Sequence, residues 1–133
     1  KVKEKGLTNI VFKGRVEKEC IPYVLSKSDL NLMDGDIGGI SKYGISGNKL
    51  FDYIASGKPI IMDCDENEFG IINANQIGIS RHFTDSSEMA EVIADMINGD
   101  DNRYERWCEN ARKLALEYDF KRLTDKLIEI IEK

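Results

Sequence analysis

The sequence predicts an α/β domain in which a parallel sheet is flanked by helices. Short apolar runs alternate with stretches of helical periodicity along the chain of 133 residues, and this alternation is typical of βαβ units. With 41% hydrophobic residues, a chain of this length can bury one core without disulfides or metals. We therefore expect a Rossmann-like parallel sheet in a single domain over residues 1–133.

The apolar runs and the helical periods place four strands and five helices. Runs bounded by turn residues predict strands near Asn9–Lys13, Leu30–Met33, Pro59–Asp63 and Ile77–Ser80. Apolar residues at helical spacing predict helices near Glu19–Lys27, Asn48–Ser56, Ser86–Asn98, Asp101–Tyr118 and Phe120–Glu132.

Individual residues justify the ends of these elements. Acidic side chains around Glu19 suit the positive end of the first helix. Gly57 stands where a left-handed C-cap ends the second helix, and Pro59 cannot continue that helix. The apolar residues after Pro59 then read as a short strand buried inside a sheet.

The last two helices each carry an apolar stripe. In the first of them the stripe consists of Tyr104, Trp107, Ala111, Leu114, Ala115 and Tyr118, spaced three and four apart, which predicts core packing. The final helix has Phe120, Leu123, Leu127, Ile130 and Ile131 on one strongly apolar face. We expect this apolar face to pack against another surface.

Charge and cysteine content restrict the function. The chain has 19 basic and 24 acidic residues, a net charge of −5, so a general nucleic-acid surface is not expected and any anion site must be local. No apolar run approaches the roughly 20 residues of a bilayer span, and no signal-peptide pattern opens the chain, so we expect a cytoplasmic protein. Cys20, Cys64 and Cys108 are odd in number and lack metal-ligand spacing, and we expect them to be reduced.

The segment from Tyr43 to Asp63 predicts a loop, a helix and a buried strand, with polar residues at the helix start. Gly44, Ser46 and Gly47 allow tight turns and a close approach of the backbone to a ligand. Such a loop before a helix is typical of a phosphate-binding site.

The first helical turn of this segment supplies the groups that an anion needs. The N–H groups near Asn48 and Lys49 have no partner within the helix, and Lys49 adds a positive charge. Asp52 follows one turn later on the same face, about 6 Å along the axis, which is the spacing between the diphosphate and the ribose of a nucleotide. Spacing alone still favours a purely structural αβ turn, because Ser, Gly and Asn precede most helices.

Gly44 to Pro59 resembles the donor-binding motif of GT-B glycosyltransferases, in the large retaining group called family 4 or group 1 and in its polysaccharide-biosynthesis variant. That variant reads roughly Gly-Ile-Ser-Pro-Asn-Lys-Leu-Phe-Glu/Asp-Tyr-Met-Ala-x-Gly-Lys-Pro, and nearly every position matches. The resemblance implies a partial C-terminal lobe of a GT-B fold and assigns roles to seven residues. The diphosphate would bind at Ser46, Gly47, Asn48 and Lys49, the ribose at Asp52, and the transferred sugar near Gly44 and Ile45.

The chain departs from the family at positions that matter for donor binding. In the family, two glutamates eight positions apart flank the helix start, and here Gly44 and Asp52 occupy those positions. Asp52 keeps a carboxylate that can accept two hydroxyl hydrogen bonds, whereas Gly44 has no side chain. Gly47 replaces the usual proline and loosens the loop without removing a donor.

The resemblance extends over most of the chain. Asn9 to Val16 resembles the strand and turn whose backbone touches the nucleobase, which implies base contacts at Gly14, Arg15 and Val16. Ile21 to Met33 resembles the next helix and strand, and Asn110 to Phe120 the closing helix.

The same resemblance implies parts that precede Lys1. The acceptor-binding lobe, and a Gly-Arg with a downstream Lys that neutralise the diphosphate, would lie upstream or on a separate chain. We therefore expect this chain to be inactive alone, with any peripheral membrane association occurring through the missing lobe.

The family's strand order 3-2-1-4-5-6 makes Asn9–Lys13 the third strand and Leu30–Met33 the fourth. Because the two central strands would precede Lys1, we expect either that these two strands pair directly in a compact four-stranded sheet or that the chain forms a homodimer.

Other chemical candidates carry less weight. Asp34 and Asp36 form an Asp-x-Asp on a Gly-rich loop, but a hard cation needs more oxygen ligands, so no metal is expected. His82, the only histidine, has no evident carboxylate partner and reads as a loop residue. Glu66 to Gly70 is as well explained by a solvated turn as by a pocket contact.

The expected function is transfer of a sugar from a nucleoside-diphosphate sugar, of UDP or GDP type, to a glycan or lipid-linked acceptor. The helix N–H groups and Lys49 would offset charge on the departing diphosphate, so neither a metal nor a cofactor is required. Two alternatives remain open: a non-catalytic nucleotide-sugar-binding module, and an interaction module that docks through its C-terminal helix. A related GT-B sugar-nucleotide epimerase fits the Asn48–Asp52 helix less well.

Overall fold

The computed structural model describes residues 2–33, 47–65 and 70–132. A short 3₁₀ helix at Lys18–Cys20 precedes the regular elements. These are α1 (Ile21–Ser26), β1 (Asn31–Met33), α2 (Asn48–Ala55), β2 (Ile60–Asp63), β3 (Gly78–Arg81), α3 (Ser86–Asn98), α4 (Asp101–Glu117) and α5 (Phe120–Ile131).

The strands form one parallel sheet, which confirms the α/β class. Within the described residues the order is β1-β2-β3, with Asn31 opposite Ile60 and Ile60 opposite Gly78. The sheet is flanked by five helices, as a Rossmann-like partial domain requires. Because β2 is the central strand, its residues Ile60, Ile61 and Met62 are almost completely buried.

The helices begin where local capping groups predict. Asp85 accepts hydrogen bonds from the backbone N–H groups of Ser87 and Glu88, so α3 starts at the predicted residue. Asp100 and Asp119 cap α4 and α5 in the same way. These boundaries are encoded within a few residues, which is why the sequence locates them.

Two glycines are required by the backbone. Gly57 has φ +66° just beyond the end of α2, which confirms the predicted left-handed C-cap. Gly78 has φ +154°, and a Cβ there would overlap the carbonyl oxygen of Ile60. The close pairing of β2 and β3 therefore needs glycine at position 78.

The core occupies both faces of the sheet. One cluster of buried residues contains Leu50, Ile54, Ile60, Met62, Cys64, Ile72, Ile77 and Ala111. The other contains Ile61, Phe83, Met96 and Trp107. Successive residues of β2 point to opposite faces, and α4 reaches both clusters, through Ala111 and Trp107. The predicted core stripe of α4 is thereby confirmed.

The strand predicted at Asn9–Lys13 is wrong. Residues 9–13 are irregular and exposed, with Phe12 81% exposed. The apolar residues suit a strand, but a strand persists only when a neighbour satisfies its backbone groups, and β1 is an edge strand that this segment does not join. The compact four-stranded sheet is therefore wrong as well, because the sheet has three strands in the described residues.

The first predicted helix, Glu19–Lys27, is divided into two parts. The chain makes a 3₁₀ turn at Lys18–Cys20 and then the α1 helix from Ile21, with Pro22 in its first turn. Pro22 lacks a backbone N–H, which is tolerated only where that group would be unpaired anyway. The α-helix proper therefore starts two residues later than predicted.

The last helix, α5, is amphipathic and uncovered. Every residue of Phe120–Ile131 is exposed, and none contributes to the core. None of the described helices combines the length and apolar character that crossing a membrane requires.

Candidate functional site

The candidate site lies where α2 begins, at the carboxyl end of β1. Gly47 is the N-cap of α2 with an extended backbone (φ −64°, ψ 139°). A Cβ built on Gly47 would lie 3.5 Å from Cε of Met33, the last residue of β1. In open parallel sheets, ligands bind beyond the carboxyl ends of the strands, so the start of α2 occupies the expected position.

Two buried side chains hold α2 in place and leave its polar residues outside. Leu50 and Ile54 are each only 1% exposed and anchor the helix in the core. Asn48, Lys49 and Asp52 lie on the exposed side. The spacing of apolar residues in α2 therefore determines which polar groups face solvent.

No acidic side chain and no side-chain cap competes with an anion at the first turn of α2. Gly47 has no side chain that could accept a hydrogen bond from the turn, and the turn contains no acidic residue. The N–H groups of this turn thus keep the partial positive charge of the helix end. Lys49 makes no ion pair with any other residue in the described part of the chain, so its charge adds to that of the helix end.

A cavity of about 540 Å³ opens beside this turn, within the usual size range of small-molecule pockets. Its lining residues come from three parts of the chain and are Lys18, Ile21, Asn48, Phe51, Asp52, Tyr118, Phe120 and Leu123. Asn48 and Asp52 stand one turn apart on α2, so the helix presents an amide and a carboxylate to the same cavity.

One wall of the cavity is aromatic. The rings of Phe51 and Tyr118 pack with their centroids 5.0 Å apart and their planes inclined by 60°, a favourable tilted geometry. Phe120 follows at the start of α5 with most of its ring exposed. Lys18 is the cation among the residues that line the cavity. The cavity combines an apolar face with charged groups of both signs.

A second cavity of about 240 Å³ lies between α1 and α2. It is lined by Ile21, Pro22, Leu25, Ser26, Asp52, Ala55 and Ser56. Asp52 and Ile21 line both cavities, so the Asp52 carboxylate stands on the ridge between them. A group held by Asp52 could therefore extend to either side.

The structure brings together four of the predicted site residues: Gly47, Asn48, Lys49 and Asp52. The segment of Gly14, Arg15 and Val16 is exposed and contributes to neither of the two cavities. Its contact with a nucleobase stays a prediction.

Several predicted positions lie outside the described residues. They include the remaining loop residues of the motif and the acidic positions considered for other roles, namely Gly44, Ile45, Ser46, Asp34, Asp36, Glu66 and Glu68.

Sequence reasoning missed Lys18, Tyr118 and Phe120 as site residues. Lys18 read as part of a charged helix start, and Tyr118 as part of a core stripe. No local pattern marks them, because Lys18 reaches α2 through the packing of α1 on α2, and Tyr118 and Phe120 reach it through the packing of α4 on α2 and the turn into α5.

A second polar group lies at the carboxyl ends of β2 and β3. His82 Nδ1 is 3.3 Å from Oδ1 of Asp63, so the expectation that His82 lacks a carboxylate partner is wrong. The same Asp63 oxygen accepts a hydrogen bond from the N–H of Phe83, and Asp65 accepts one from the N–H of His82. These carboxylates hold the turn after β3, and parallel pairing of β2 and β3 is what places them there.

Glu88, in the first turn of α3, is the described carboxyl with the largest shift in pKa. It accepts hydrogen bonds from the backbone N–H and hydroxyl of Thr84 and pairs with Arg81. These interactions lower the pKa of Glu88 from 4.5 to about 2, with the bond from the Thr84 backbone as the largest cause. The arrangement stabilises the entry to α3 and does not contact the candidate site.

The three cysteines are free thiols; Cys20 is exposed, whereas Cys64 and Cys108 are buried. Burial raises the pKa of Cys108 and raises the pKa of Tyr104 to about 12. Tyr104 donates its hydroxyl to the backbone carbonyl of Asp29, 2.8 Å away. These groups have structural roles.

In the part of the chain that the structure describes, no group of three or more His, Cys, Asp or Glu side chains is placed to hold a metal ion. No model of a known protein family matches the chain, and a search of curated proteins finds no match. The candidate site therefore has to be judged on its own geometry.

Proposed function

We propose that this chain is the donor-nucleotide-binding part of a glycosyltransferase of the GT-B type, using a nucleoside-diphosphate sugar. The observation that carries the proposal is the start of α2. There Asn48 and Asp52 of α2 line one cavity beside an uncapped helix N-terminus at the carboxyl end of a parallel strand, and Lys49 stands exposed in the same turn. The resemblance of Gly44 to Pro59 to the donor-binding motif of that family adds the substrate class.

Each group at the start of α2 has a distinct role in this proposal. The diphosphate lies against the first-turn N–H groups, where the helix dipole and the Lys49 ammonium offset its charge. The Asp52 carboxylate, one turn further along, accepts hydrogen bonds from the two ribose hydroxyls. The rise of about 6 Å over the four residues from Asn48 to Asp52 matches the distance between these two parts of a nucleotide.

The chemistry of sugar transfer depends on stabilising the leaving group. As the bond between the sugar and the diphosphate breaks, negative charge grows on the diphosphate, and preorganised N–H groups and a lysine stabilise it. The nucleophile is a hydroxyl of the acceptor, which a separate acceptor-binding lobe must position. We assign that lobe to another segment or another chain.

The proposal predicts how nucleotide binding responds to substitution. In calorimetric titrations with UDP and GDP, Lys49→Ala and Asp52→Ala should each weaken binding by about 1.5–3 kcal/mol, or roughly 10- to 150-fold, because each removes a charge-assisted contact. Lys113→Ala on α4 and Glu91→Ala on α3 are matched controls, since both side chains are exposed and lie outside the residues that line the cavity. Neither control should change the affinity.

Inorganic pyrophosphate and uridine separate the two halves of the site. Lys49→Ala should weaken binding of pyrophosphate, whereas Asp52→Ala should weaken binding of uridine and leave pyrophosphate unaffected. Nucleotide affinity that neither substitution changes would remove the site assignment. No binding of any nucleoside diphosphate by the folded chain would remove the proposed function.

A non-catalytic nucleotide-sugar-binding module is the second candidate. Gly44 favours it, because the family's first glutamate, near the transferred sugar, has no counterpart there. Supplying the acceptor-binding lobe of a related transferase and assaying glycan formation distinguishes the two. Binding without transfer would favour the module.

A further inference from the structure

The outward face of α5 is the largest uncovered apolar feature of the described chain. Its six large apolar side chains are between 40% and 86% exposed, and they are Phe120, Leu123, Leu127, Ile128, Ile130 and Ile131. They expose roughly 600 Å² of apolar surface, at the upper limit of the largest patch on a typical monomer. Such a face indicates an interface.

Two ion pairs join the end of α4 to the flank of α5 that carries no apolar residues. Glu117, the last residue of α4, pairs with Arg122 at 2.8 Å and with Lys126 at 3.8 Å. On a helix with 3.6 residues per turn, Arg122 and Lys126 lie roughly 120° from the centre of the apolar face. The end of α4 therefore lies along the flank of α5 and leaves the apolar face uncovered.

The spacing of the apolar residues indicates another helix as the cover. Phe120, Leu123, Leu127 and Ile130 follow intervals of three, four and three, the spacing of a coiled-coil seam. In an antiparallel pair of two α5 helices, Leu123 of one copy meets Leu127 of the other, and Phe120 meets Ile130. The apolar residues of two copies therefore match when their α5 helices run antiparallel.

The charges favour the same direction. Lys121, which pairs with Asp125 of its own helix at 2.9 Å, lies near the start of α5, and Glu132 lies just after its end, both on the same side of the apolar face. Antiparallel packing brings Lys121 of one copy near Glu132 of the other, and it also opposes the two helix dipoles. In a parallel pair with two-fold symmetry, residues on one flank of the face lie on opposite sides of the interface, so Lys121 and Glu132 would make no contact across it.

We propose that two copies of this chain associate through an antiparallel pairing of their α5 helices. Two such faces bury at most about 1,200 Å² in total, the lower limit of a specific interface, so the dimer should be weak and concentration-dependent. Phe120 and Leu123 also line the 540 Å³ cavity at the start of α2. The second copy then lies beside the candidate site, with its Ile130 against Phe120. The proposal does not depend on nucleotide binding.

Sedimentation velocity over a concentration series of the ligand-free chain tests this pairing. The chain should shift from monomer to dimer, and Leu127→Glu should raise the dissociation constant by at least 100-fold, because it places a charge in the seam. Ile97→Glu on α3 makes a similar change at another exposed apolar residue and should leave the dimer intact. Since no residue of α5 is buried, circular dichroism should show that both variants remain folded.

A charge exchange tests the direction of pairing. Lys121→Glu and Glu132→Lys should each weaken the dimer several-fold, and the double variant should restore it, because the two residues are too far apart within one helix to interact directly. The proposal is overturned if the chain stays monomeric at every concentration. This holds also if the monomer binds lipid vesicles through α5. A dimer broken by Leu32→Glu at the open edge of β1 and unaffected by Leu127→Glu also overturns it.

Discussion

Among the described glycines, Gly78 is the one whose replacement by alanine should destabilise the fold most. It lies at the start of β3, opposite Ile60 of the central strand. An added Cβ would overlap the carbonyl oxygen of Ile60 and would stand 2.7 Å from the nitrogen and the carbonyl carbon of the same residue. All three atoms belong to backbone, so no side chain can rotate away.

Two terms set the magnitude for Gly78→Ala. A non-glycine residue at φ +154° costs about 1–3 kcal/mol in backbone strain. Separating β2 from β3 to admit a methyl group costs about as much again, as overpacking does in other cores. The neighbours Ile60 and Ile77 are completely buried and leave no room to relax. We expect a loss of about 3–5 kcal/mol, a large part of the total of about 5–15 kcal/mol for a domain.

Urea denaturation measures this loss. Trp107 is the only tryptophan and is buried beside Ile61 and Phe83, so its fluorescence reports on the packing of this sheet. With a slope of about 2 kcal/mol per molar urea, the midpoint should fall by about 2 M. Gly47→Ala is the control, because φ is −64° there and the nearest contact, Met33 Cε, is at 3.5 Å. Its cost should be about 1 kcal/mol or less.

Either of two results would contradict a backbone overlap at position 78. One is a Gly78→Ala protein within about 1 kcal/mol of the parent. The other is a Gly47→Ala protein destabilised as much as Gly78→Ala, since the two positions would then not differ in the way that their geometry requires.

Two further predictions follow from the ionisable groups. Because the folded-state pKa of Glu88 is lowered from 4.5 to about 2, its stabilisation is complete above pH 4.5 and is lost as the pH falls towards 2. Glu88→Gln should remove this pH dependence of the unfolding free energy, and an NMR titration midpoint of Glu88 near 4.5 would contradict the assignment. Iodoacetamide should modify only Cys20 in the folded chain, and Cys64 and Cys108 only after unfolding, since both are buried. Equal labelling of all three in native protein, seen by mass spectrometry, would show that this core opens readily.

The sequence locates the start of the candidate site well and its walls poorly. Asn48, Lys49 and Asp52 are spaced along a single helix, so helical geometry places them together without any knowledge of the fold. Lys18 and Phe120 are separated by 102 positions and meet only because both pack around the start of α2. The pairing of Asp63 with His82 likewise depends on the parallel register of β2 and β3.

The sequence by itself determined the helix boundaries and the central strand. Capping residues such as Asp85, the C-cap at Gly57 and the apolar run after Pro59 act within a few residues of where they stand. Tertiary structure decided which apolar segments found a partner. Asn9–Lys13 has the composition of a strand, yet it stays irregular because strand hydrogen bonds need a neighbour, whereas a helix such as α5 satisfies its own backbone and forms even with its apolar face uncovered.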